Sequence, residues 1–116
     1  MSDIELDKYW YDNELLCPVC NANNLHHDSV SVYHRREDEE AVRVTTVEGN
    51  ELVSSVVPNK TSSNPSGRRG GVVISFWCEH CHANADEDFP DYQELFHLEI
   101  LQHKGTTYLN WKLPKK

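Results

Sequence analysis

Apolar and polar side chains alternate along most of this chain, and the alternation predicts strands. Residues 28–35 set Val30, Val32 and His34 on one face and Ser29, Ser31 and Tyr33 on the other, the two-residue period of a half-buried strand. Residues 41–48 place Val42 and Val44 opposite Arg43, Thr45 and Val47, and residues 51–57 form a third β-rich stretch. The connections are short: the charged turn Arg36-Glu37-Asp38-Glu39-Glu40, then Gly49-Asn50. Three such segments in succession predict a meander. Residues 72–77 put Val72, Ile74 and Phe76 on one side. Residues 95–102 do the same with Phe96, Leu98 and Ile100, and 107–112 with Leu109 and Trp111. His103-Lys104-Gly105-Thr106, with glycine at its second central position, closes the last two strands into a hairpin. The expected fold is mainly β, an antiparallel sheet of about six strands.

Two stretches fall outside that pattern. Ser2 and Glu5 have the spacing of a capping box, and Ile4, Leu6, Tyr9, Trp10, Leu15 and Leu16 are interspersed with five acids. A short N-terminal helix over residues 2–15, its aromatic side packed on the sheet, is expected there. Residues 58–71 hold no large apolar side chain, which predicts a flexible loop. That loop carries Lys60, Arg68 and Arg69 and no acid, the one basic stretch of an acidic chain.

Composition sharpens this picture. At 116 residues the chain is expected to form a single domain, 1–116. Its hydrophobic fraction is 38% against 26% charged, so the core is small and a cross-link between distant segments has much to contribute. The four cysteines supply one. They fall into two hooks, Cys17-Pro18-Val19-Cys20 and Cys78-Glu79-His80-Cys81, separated by 57 residues. Two residues between paired cysteines let both sulfurs face one tetrahedral metal, and two such hooks complete the four-thiolate shell of a structural zinc site. The competing readings are redox pairs or disulfides. A redox CxxC belongs at a helix start in a βαβ setting, whereas these hooks adjoin strand-like sequence. One structural Zn²⁺, held by Cys17, Cys20, Cys78 and Cys81, is the expected cofactor.

The hooks and their flanking strands resemble a zinc ribbon, in which two knuckles on β-hairpins clamp one metal. Arg68-Arg69-Gly70-Gly71-Val72-Val73-Ile74-Ser75-Phe76-Trp77-Cys78-Glu79, with Gln102-His103-Lys104-Gly105-Thr106, is similar to a group of small uncharacterised prokaryotic four-cysteine zinc-ribbon proteins. The resemblance implies the same four ligands and a ribbon-like antiparallel sheet, and it supplies no activity. The chain departs from the pattern after each second cysteine, where Asn21 and His82 stand in place of the usual glycine.

Other chemistry finds little support in the sequence. Seven histidines are present, none in an HExxH arrangement. His80 and His82 flank Cys81, close enough to enter the metal shell or hydrogen-bond to it. The acids of 37–40 and 86–88 lack the glycine and terminal glutamate of an EF-hand. No serine or cysteine nucleophile has a motif around it, and Gly70-Gly71 precedes a strand rather than a helix. An enzyme is not expected. Neither a secretory segment nor a membrane span is found, and thiolate hooks suit a reducing cytoplasm. The formal net charge is −8, from 19 acids and 11 bases. Four thiolates around zinc add about −2. Such a chain is steered toward a protein partner presenting a basic face, which predicts an interaction or regulatory module. The alternative is a transcription-related nucleic-acid binder, with Lys60, Arg68 and Arg69 on phosphates and Trp77 stacking on a base. Three cations on so acidic a chain make that binding weak.

Overall fold

A computed structural model describes residues 14–83 and 95–113. Six strands form one antiparallel sheet: β1 (Leu25–His34), β2 (Ala41–Glu48), β3 (Glu51–Pro58), β4 (Gly71–Cys78), β5 (Phe96–His103) and β6 (Thr106–Lys112). All six stand where the alternation places them, within a few residues at either end. A single 3-10 turn, Asn59–Thr61, follows β3, and a short helix α1, Glu79–Ala83, follows β4. The expected N-terminal helix lies outside the described residues, apart from Glu14 and Leu15, which belong to no regular element.

The strand order is β3-β2-β1-β4-β5-β6. The first three strands form the expected meander. The fourth then returns by a long connection to lie beside the first, which makes strands one to four a Greek key. The hairpins follow from local chemistry. Gly49 adopts a φ of 60° in the two-residue turn between β2 and β3, and Lys104 and Gly105 adopt 51° and 80° between β5 and β6. Positive φ at both Lys104 and Gly105 is the type I′ geometry and positive φ at Gly49 alone the type II′ geometry, and the twist of each matches that of its strands.

The returning connection is tied down by polar groups rather than apolar ones. Ser66 is buried, and its hydroxyl donates to the Gln102 carbonyl at 2.9 Å while accepting from the Arg68 and Arg69 N–H groups. Asn64 Nδ2 bridges Asn59 Oδ1 and the Arg69 carbonyl. Arg35 donates to the carbonyls of both Arg69 and Glu39, joining the loop to the β1–β2 turn. Gly70 passes so close to β1 that a Cβ there would collide with the Tyr33 carbonyl. The expectation of a flexible loop rests on its lack of apolar side chains. These hydrogen bonds are a second means of holding a segment, and composition does not reveal them.

Packing is thin. Cys17, Tyr33, Val42, Cys78, Phe96 and Leu98 are the buried apolar residues among those described. Their one cluster gathers at the cysteine end of the sheet, where Leu25, Cys20, Cys81 and Trp111 pack against Cys17, Cys78 and Phe96.

Candidate metal centre

The first hook enters β1 and the second leaves β4. These two strands are antiparallel neighbours at the middle of the sheet, paired from Leu25↔Cys78 to Tyr33↔Gly71. The start of β1 and the end of β4 therefore lie at the same end of the sheet. Backbone pairing alone carries Cys17 and Cys20 to Cys78 and Cys81, and the Glu79 N–H bond to the Asn24 carbonyl at 3.0 Å extends the ladder one step further.

Each hook is shaped locally. Asn21 takes a φ of 66°, the left-handed turn expected where a ribbon has glycine. Its N–H bonds the Cys17 carbonyl at 2.9 Å, and the Cys17 N–H bonds the Ala22 carbonyl at 2.8 Å. The second hook is built differently. Glu79–Ala83 is one helical turn, so His82 has helical backbone and needs no left-handed conformation. Neither hook occupies the turn of a β-hairpin among the described residues, and there the arrangement parts from the ribbon expectation.

The four Sγ atoms all lie within 4.8 Å of one another. Cys17 and Cys81 sulfurs are 3.8 Å apart, and those of Cys20 and Cys78 are 3.5 Å apart. A tetrahedral site with metal–sulfur bonds of about 2.3 Å has edges of about 3.8 Å, so the cluster already has the dimensions of a tetrathiolate shell. All four cysteines are free. The Val19 N–H donates to Cys17 Sγ and the Cys81 N–H to Cys78 Sγ, each at 3.4 Å; such donors favour the thiolate over the thiol. A backbone hydrogen bond at Ala22 is the main cause that brings the Cys20 thiol down to about 6. Burial pushes Cys78 and Cys81 up, and the sulfurs around Cys81 add to its rise. Four thiolates cannot crowd together here unaided. A metal cation held among them would supply the charge that lets all four ionise.

The other residues singled out by sequence are scattered. Arg68 and Arg69 lie at the opposite end of β4 from the cysteines, and both are engaged by acids. Arg68 reaches Asp38 at 2.9 Å and Glu37 at 3.0 Å, and Arg69 reaches Glu37 at 3.2 Å. Lys60 is exposed in the 3-10 turn. Trp77 sits at the cysteine end, roughly 20 Å of strand from Gly71. The four do not form one patch. His80 lies exposed in α1, and the metal-sized cluster among the described residues contains the four cysteines only.

One grouping beside the hooks is absent from the sequence reading. His26 stacks on Trp77 with ring centroids 4.3 Å apart, and its Nε2 lies 3.5 Å from Glu79 Oε2. The signal is the register His26↔Trp77, a pairing between segments 51 positions apart that no local pattern announces. The remaining strand histidine with a defined partner, His97, contacts buried Ser75 at 3.3 Å.

No protein-family model, no curated protein and no solved structure matches the chain. The class that fold and site define is therefore the coarse one: a mainly β, six-stranded antiparallel sheet with a four-cysteine cluster able to hold a metal ion. No helix among the described residues is long and apolar enough to cross a membrane.

Proposed function

We propose that this chain is a small zinc protein, related in plan to zinc ribbons. Its Cys17, Cys20, Cys78 and Cys81 hold one structural Zn²⁺, and its acidic surface engages a protein partner with a basic face. The observation that carries the metal reading is the tetrahedron-sized gathering of four sulfurs at the shared end of β1 and β4. Zinc is favoured over harder cations because thiolates are soft ligands, and over catalytic zinc because four of them leave no position for water. Bound there, the metal would supply a cross-link between the ends of the two central strands. Its contribution to small metallo-domains is on the order of 10–16 kcal/mol.

The partner reading rests on charge. The chain carries −8 overall, and two of the cations that would offset it locally are already matched to Glu37 and Asp38. Those ion pairs also count against the nucleic-acid alternative, since a phosphate must displace a carboxylate to reach either arginine. The test titrates zinc-loaded protein with a labelled lysine-rich peptide and, separately, with single- and double-stranded oligonucleotides, at two salt concentrations. Salt-sensitive binding of the peptide with oligonucleotides near background is the expected result. Tight oligonucleotide binding at physiological salt, abolished by Arg68→Ala with Arg69→Ala, would overturn it.

A further inference from the structure

Register places an uninterrupted apolar row across the whole sheet. Leu52 pairs with Val47, Val47 with Val30, Val30 with Ile74, Ile74 with Leu98, and Leu98 with Trp111. Paired residues share a face, so six apolar side chains from six strands stand in one line. The neighbouring row, two residues along, adds Val32, Val72, Ile100 and Leu109 on the same side. The first hook packs against this face at the cysteine end, through Phe96 and Trp111. Toward the sheet edges the side chains are open to solvent, Val47 being 44% exposed, Val56 55%, Leu52 66% and Leu109 69%, whereas Val30, Val32, Val72, Ile74 and Ile100 at the middle are half-buried and Leu98 is buried.

The charge on this face is equally one-sided. Glu48, Glu51 and Glu99 all alternate onto the opposite face, and Asp28, at the β1 bulge near the cysteine end, is the one strand acid that two-residue steps from Val30 place on the apolar side. On a chain of net charge −8, this is the surface on which two identical molecules meet with least repulsion. Its size also fits. Six strands about 4.8 Å apart, with about six residues of 3.4 Å each beyond the end the hook covers, span roughly 600 Å². Interfaces at the lower end of the standard size take about that area from each partner. An apolar sheet face requires a second layer to cover it, and large exposed apolar patches mark interaction sites.

We propose that the second layer is another copy of this chain, packed face to face on the apolar rows to form a symmetric two-sheet dimer. The acidic face and turns then point outward on both copies, available to the basic partner. The proposal depends on neither the identity of the metal nor the nature of that partner.

The test is the mass of the full-length, metal-replete protein by sedimentation equilibrium from micromolar to submillimolar concentrations. The wild type is expected to sediment at twice the mass of one chain. Leu52→Glu with Val56→Glu should raise the dissociation constant at least ~100-fold and yield monomers. Val53→Glu, on the opposite face of the same strand, should leave the dimer intact. Both changes alter exposed side chains, and an unchanged metal-to-protein ratio and circular dichroism spectrum verify the fold. Should the double variant fail that check, Leu109→Glu at the other edge takes its place. A wild type that is monomeric at the highest concentration would overturn the proposal. So would a dimer indifferent to the apolar-face changes, or one weakened as much by Val53→Glu.

Discussion

Leu25 pairs with Cys78 across the β1–β4 boundary. That one rung of the ladder fixes the separation of hooks that are 57 residues apart in the chain. The dependence is mutual. Strand pairing assembles the sulfurs, and a metal held across them would clamp the central strands at the end where the small core lies. At the other end, the same two strands are held by the glycine-rich approach of the Greek-key connection to Tyr33. Changes at each end are therefore expected to destabilise the sheet by different mechanisms.

At the connection end, Gly70→Ala should be among the most damaging single-methyl changes in the chain. The added Cβ meets the Tyr33 carbonyl, a backbone atom that cannot swing aside. Overpacking of this kind costs about 1–3 kcal/mol. Thermal unfolding should shift down by several degrees while the metal content stays at the wild-type level.

The connection itself should resist protease. Arg68 and Arg69 offer trypsin two exposed sites, yet their backbone N–H groups are bonded to buried Ser66. Limited trypsinolysis is expected to leave the 68–69 bonds intact in the wild type and to cut them in Ser66→Ala. Prompt cleavage there in the wild type would show that the hydrogen bonds do not hold the segment.

At the cysteine end, Phe96 is 6% exposed and packs against Cys17 and Cys78. Phe96→Ala should cost about 3–5 kcal/mol. It should also open a path to the metal, so that a chelator strips it faster than from the wild type at equal concentration.

Acid should release the metal steeply. The bound thiolates carry no protons, whereas the released, unfolded chain binds a proton at each thiol, so stability falls as pH falls wherever those thiols are protonated. Metal occupancy followed against pH should therefore fall with an apparent order above one proton. A single-proton profile would point to one labile ligand instead of a cooperative shell.

How much of this was legible in advance depends on the range of each interaction. The strands were, because period-two alternation is local: Val72-Val73-Ile74-Ser75-Phe76 reads as β4 in isolation. So were the hooks and the Lys104-Gly105 turn, since each is contained within four residues. The Greek-key return was not, because the pairing of β1 with β4 is a choice among strands that no single segment encodes. The anchors of residues 59–70 were missed for a related reason. A serine in a polar stretch looks solvated until the fold brings the Gln102 carbonyl to it. The ribbon pattern has glycine where His82 stands, a departure the sequence leaves unexplained until the second hook is seen to be a helical turn. The apolar row across all six strands needed the register of five strand pairs before it could be seen at all.

The most direct measurement is elemental analysis of the purified chain, paired with thermal unfolding before and after chelation and in Cys78→Ser. One zinc equivalent per chain, with cooperative unfolding lost on chelation and absent in the variant, is the predicted result. A metal-free chain that unfolds cooperatively at the same temperature as the untreated protein would contradict it.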